Sequence, residues 1–143
     1  NGKKYPTVVL SILADDVRQE AGSKISIMGA YTGNDITITP SQPVPAGQKI
    51  VVPLALLVVF EGGDGECESR LNIFDPLGNP VGNSALKFNA SIAHTKNVIF
   101  KLPTFWVSES GQYRAVLSFG DKEPYELKFK VKIAQASPVN PAP

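Results

Sequence analysis

The chain has 143 residues, 43% of them hydrophobic and 19% charged, with 14 Lys and Arg against 13 Asp and Glu. That size and composition suit one globular domain with its own core, and they exclude a disordered chain. A net charge of +1 gives no electrostatic case for nucleic acid or an anionic membrane as partner, and a single cysteine, Cys67, excludes an internal disulfide.

Apolar residues recur with a period of two along almost the whole chain, and no segment sustains a helical period. "YPTVVLSILA" (5–14) and "SKISIMGAY" (23–31) predict two strands around the polar stretch "DDVRQEAG", and "NDITIT" (34–39) predicts a third. "PSQPVPAGQ" (40–48) is a proline-rich connection. "IVVPLALLVVF" (50–60) is too short for a membrane helix, which needs about 18 apolar residues, and reads as a strand. "EGGDGE" (61–66) predicts a tight hairpin end, and "CESRLNIFDPLGNP" predicts a strand closed by a turn at Asp75–Asn79. "SALKFNASIA" and "NVIFKLPTFWV" follow, with a turn around His94 and an interruption at Pro103. "GQYRAVLSF" and "YELKFKVKI" are joined by the hairpin "GDKEP" (120–124). The tail, residues 136–143, reads as extended, which leaves residues 1–135 as a single domain.

About nine strands with short turns predict an all-β fold, an antiparallel β-sandwich. "ESGQYRA" narrows it, because a Gly-x-Tyr entering the penultimate strand matches a tyrosine corner at Tyr113. The expected class is immunoglobulin-like or macroglobulin-like. Ala115 stands where antibody domains carry their second cysteine, so their Cys-Trp-Cys core is missing.

Asp15, Asp16 and Glu20 surround Arg18 just before a glycine turn. A brace would pair Arg18 with one carboxylate and use another to cap turn N–H groups. A divalent-metal site would gather all three carboxylates around one cation. A protein-binding hot spot is the third reading. "LADDVRQEAGSKISIMGAY" resembles the opening of an uncharacterised family of small bacterial proteins. Those begin with a strand, then Asp-Asp-x-Arg-x-Glu, then Gly-Lys-x-Ser-(Leu/Ile)-x-Gly-x-Tyr/Phe. Asp15, Asp16, Arg18, Glu20, Lys24, Ser26, Gly29 and Tyr31 match position by position, and Ser23 is an insertion in the turn. The resemblance implies a cytoplasmic-type bacterial or phage β-sandwich with no known activity.

Elsewhere the chemistry is sparse. His94 is the single histidine and no nucleophile-elbow sequence accompanies it. Cys67 reads as a small buried hydrophobe. No zinc spacing or phosphate loop is present, and Lys128, Lys130 and Lys132 form a basic row without interleaved aromatics. No cofactor is expected, and no enzymatic activity. Residues 50–60 are apolar on both faces, so Val51, Leu57 and Val59 on the second face are a candidate interface.

The function expected is protein binding or a structural role in a bacterial or phage assembly, cytoplasmic or in a virion. The partner is protein, with a homo-oligomer or assembly component expected and no nucleic acid or membrane. The alternative is a small-ligand or carbohydrate-binding module, with Trp106, Phe105 and Tyr31 as its platform.

Overall fold

The structure, a computed structural model, describes residues 4–134 apart from Ser41, Pro43, Ala46 and Asp121. The tail expected at 136–143 lies outside the described residues. Seven strands account for most of the rest: β1 (Thr7–Gln19), β2 (Ile25–Ala30), β3 (Asp35–Ile38), β4 (Ile50–Phe74), β5 (Pro80–Val107), β6 (Gly111–Ser118) and β7 (Tyr125–Ile133). Two short 3-10 turns, Ala21–Ser23 and Thr32–Asn34, are the only helical pieces among them.

The strands form one curled, mixed sheet in the order β2-β1-β4-β6-β7-β3, with β5 along the other edge of β4. β4 is its spine. Its first half pairs with β1, from Thr7–Glu61 to Ala14–Ala55, and its second half pairs with β6, from Arg70–Ser118 to Phe74–Arg114. β5 follows both halves.

Several expectations need correction. The sequence predicts about nine strands, and the described chain has seven. "EGGDGE" does not end a hairpin: it lies inside β4, where Gly62, Gly63 and Gly65 take positive φ and the register to β5 shifts. The chain bends there without leaving the ladder, because glycine tolerates that backbone region. The stretch around His94 likewise stays within β5. The strands are also not all antiparallel. β3 runs parallel to β7, Asp35–Ile38 alongside Lys130–Ile133. β3 sits at the far edge of the sheet from β2, so no hairpin fixes its direction.

Proline explains a further irregularity. Pro53 and Pro103 both lack an N–H, and the β4–β5 register shifts between Val52 and Leu54 where they meet. Pro103 therefore bulges its strand rather than interrupting it.

One face of the curl encloses the main core. Alternate residues of β4, Val52, Leu54, Leu56, Val58 and Phe60, meet Phe88, Phe100, Phe105, Tyr113 and Phe129 there. Tyr113 is fully buried, and its hydroxyl donates to the Glu109 carbonyl at 2.7 Å. Its ring stacks on Phe129 at 5.6 Å. This is the corner geometry expected from "SGQY". Burial, chiefly, pushes the Tyr113 hydroxyl above its ordinary pKa.

Side chains close the curl between β1 and the β6–β7 end. Lys122 Nζ donates to the Pro6 carbonyl at 2.7 Å, Ser11 and Tyr125 hydroxyls lie 3.0 Å apart, and Tyr5 packs on Phe119.

Ser69 is fully buried, and its hydroxyl has no hydrogen-bond partner among the described residues. An unsatisfied buried hydroxyl carries its desolvation cost without return. Ser69→Ala is therefore expected to stabilise the fold by about 1 kcal/mol. Thermal melting checks this, and a lower Tm than wild type would contradict it.

Candidate functional site

β1 and β2 form a hairpin closed by the Glu20 N–H, which donates to the Lys24 carbonyl at 2.7 Å. Glu20 thus contributes through its backbone. Asp15 and Asp16 are neighbours in a strand and face opposite ways. Asp15 accepts a hydrogen bond from the Tyr31 hydroxyl. Gly29, with φ +64°, lies under that carboxylate, where any Cβ would collide with it. The matching Asp, Gly and Tyr positions of the opening motif therefore form one packed unit.

Asp16 is the hub of the other side. Its Oδ2 meets Arg18 Nε at 3.0 Å, and its Oδ1 accepts from the Val17 N–H at 3.0 Å and faces Lys101 Nζ at 3.4 Å. The Arg18 guanidinium, helped by Lys101 and opposed by partial desolvation, holds the Asp16 carboxyl below the ordinary aspartate value. Arg18 and Lys101 are well exposed, so these pairs orient more than they stabilise. Lys101 is the member that sequence reasoning missed: the pairing of Ala14 with Ala55, and of Ala55 with Lys101, brings it across two strands.

The three carboxylates do not converge on one point. Among the described residues, no group of three or more His, Cys, Asp and Glu side chains is placed to hold a metal ion. Asp16 alone both pairs with Arg18 and takes a backbone N–H, while Asp15 bonds Tyr31.

Tyr31 offers a test. Burial, then its bond to Asp15, pushes its hydroxyl up to about 12. A phenol whose pKa is raised on folding adds stability that is complete below its unfolded value, about 10, and is lost as pH rises through the folded one. Stability is therefore expected to fall between about pH 10 and pH 12, and Tyr31→Phe should lessen that fall. Denaturant melts of both proteins across this range check it. Identical alkaline losses would show that Tyr31 is not the group responsible.

A cleft of about 530 Å³ lies beside the hairpin, with Asp15, Asp16, Arg18 and Lys101 at its rim and Met28, Pro53 and Pro103 in its walls. The β1–β4 ladder stops at Ala14–Ala55, and β1 continues with β2 alone. Asp16 then supplies the Val17 N–H with an acceptor that no second strand offers.

The candidate interface on β4 divides. Leu57 is 4% exposed and belongs to a second small cluster with Ala14, Val17 and Ala55, against which Ile12, Ile25, Val59 and Ile99 pack. Val59 is half-buried there, and Val17 and Ile25 of the β1–β2 hairpin contribute to its cover. Val51 alone of the three stands in water, opposite Trp106.

Of the expected aromatic platform, Phe105 is buried in the core and faces no ligand. Trp106 is exposed, with Lys49 Nζ 5.9 Å from its ring, beside a hollow of about 440 Å³ that Val81, Asn83 and Ser108 also line. His94 is exposed and bonds Ser91, and Cys67 is buried.

A model of DUF6941, a family of unknown function, matches residues 9–132. No curated protein matches the chain. Crystal structures of β-glucosidase from Listeria innocua superpose on 95% of the chain, with a TM-score of 0.45 and 12% identity for the first, and 0.41 and 12% for the glucose complex. The chain spans 17% of their length. A likeness so slight carries nothing about activity.

Proposed function

The chain belongs to DUF6941, and we propose that it is a non-enzymatic protein-binding or structural module whose binding element is the β1–β2 hairpin. One observation carries this reading. The acidic pair on β1 is satisfied from within, Asp15 by Tyr31 and Asp16 by Arg18 and Lys101, while Ile27 and Met28 of β2 stand about 40% exposed at the rim of the sheet. Such a surface offers apolar contact and strand pairing rather than acid–base chemistry. The curl itself is read as an immunoglobulin-like sandwich. Support comes from the Tyr113 corner and from the two halves of β4, which serve different neighbours. The match of the opening motif to small bacterial proteins supports a place in a bacterial or phage assembly, in the cytoplasm or in a virion.

A photo-crosslinker at Met28 tests the reading in the native host, with Lys130 on the far sheet face as control. Protein adducts from position 28 and none from position 130 are expected. Absence of adducts from position 28 would remove the proposal.

A second reading rests on Trp106. An exposed indole beside a hollow with Lys49, Asn83 and Ser108 suits the face of a sugar or a small planar ligand. Trp106 is the only tryptophan, so its fluorescence reports directly on that hollow. An unchanged spectrum across a panel of mono- and disaccharides would dismiss this reading.

A further inference from the structure

β5 follows β4 from Pro80 to Val107, and the bend in that ribbon brings the two ends of β5 face to face. A Cβ on Gly82 would stand 3.6 Å from the Phe105 ring and 3.8 Å from the Leu102 side chain. The hollow of about 440 Å³ beside Trp106 opens between these ends. Val81 and Asn83 line it from the first, Lys101, Pro103 and Trp106 from the last. Its size lies in the range that small ligands fill. Strand alternation buries Phe105 and Val107 in the core and turns the indole between them outward, into this hollow.

The hollow carries charge of one sign. Lys49 and Lys101 line it, and among the described residues no Asp or Glu does. Lys49 makes no ion pair among those residues, and its ammonium lies 5.9 Å from the indole centre, at the outer limit of cation–π attraction. Lys101 reaches Asp16 at 3.4 Å, longer than the roughly 2.9 Å of a close ammonium–carboxylate bond. An ammonium has three N–H donors and no acceptor, so both lysines keep donors for a ligand. Asn83 and Ser108 add groups that donate and accept.

We infer that the Trp106 hollow binds an acidic sugar, a saccharide ring carrying a carboxylate or a phosphate, with the ring against the indole and the anion held by Lys49 and Lys101. The inference rests on the ligand-binding reading of this hollow given above and fixes the ligand's charge. The C–H face of a sugar suits the electron-rich face of an indole. Its hydroxyls suit Asn83 and Ser108. A neutral sugar would leave two ammonium groups without a counter-charge, and a cationic ligand would be repelled by both.

Titration of the purified chain with glucose, glucuronate and glucose 6-phosphate at matched ionic strength, read by Trp106 fluorescence, tests this. At least one acidic sugar should bind about tenfold or more tightly than glucose, and which of the two does so identifies the anion. Lys49→Gln and Lys101→Gln should each lessen that advantage, and added salt should lessen it too. Both lysines are exposed, so both variants should fold, and a melting curve checks that they do. Equal binding of glucose and the acidic sugars would overturn the inference and leave the sugar reading of the hollow standing. No response to any of the three would overturn both. An acidic-sugar response unchanged by the two lysine variants, or reproduced by inorganic phosphate alone, would also overturn the inference.

Discussion

Leu57→Lys is expected to lower the stability of the isolated chain by about 4 kcal/mol or more, a large part of the 5–15 kcal/mol typical of a whole domain. Leu57 is 4% exposed, in the small cluster with Ala14, Val17 and Ala55. The substitution loses its packing and places an ammonium among the apolar side chains of that cluster. A melting curve together with molecular mass decides the matter. If instead the variant kept the wild-type melting temperature while the mass fell, this face of β4 would be a subunit contact, and the hairpin residues would not be its cover.

Gly63→Ala is expected to cost about 2–4 kcal/mol. Gly63 sits at the bend of β4 with φ +83°, and a Cβ there would stand 2.8 Å from the backbone nitrogen of Pro6 and 3.0 Å from the Ala90 Cβ. Backbone cannot yield as a side-chain tip can. Gly62 is the internal control: it has φ +75° and open space around it, so Gly62→Ala should cost only the conformational part, about 1 kcal/mol. Equal losses at the two positions would mean that the close approach of the N-terminal segment does not matter.

The class of the fold was legible because strand periodicity survives in sequence, as "YELKFKVKI" shows: Phe129 and Val131 are buried and Lys128, Lys130 and Lys132 exposed. The Tyr113 corner was legible for a related reason, since it is local, spanning only Glu109 to Tyr113. The continuity of β4 was not. Glycine runs that end one hairpin can equally bend one strand, and only the partner strand decides between them. The parallel β3–β7 pairing was hidden because nothing local ties the two together. At the candidate site the residues were visible and their grouping was not. The acidic cluster looked like one focus, yet alternation along β1 sends Asp15 to Tyr31 and Asp16 to Lys101.

The long β4–β5 ribbon has one closed end. There Asp75 accepts from the N–H groups of Leu77 and Asn79 at 2.9 and 2.8 Å and is itself buried. From that turn, pairing can advance rung by rung from Phe74–Pro80 towards Ile50–Val107, each rung enclosing only slightly more chain than the last. β3 and β7 have no such route: the whole ribbon and β6 intervene between them in the chain, so their contact carries a long loop from the start. Refolding should therefore protect the amides of Leu71, Ile73 and Ala85 before those of Ile36 and Val131. Pulse-labelled hydrogen exchange resolves the order, and early protection at Ile36 would mean that the chain collapses around its edges and fits the ribbon in afterwards.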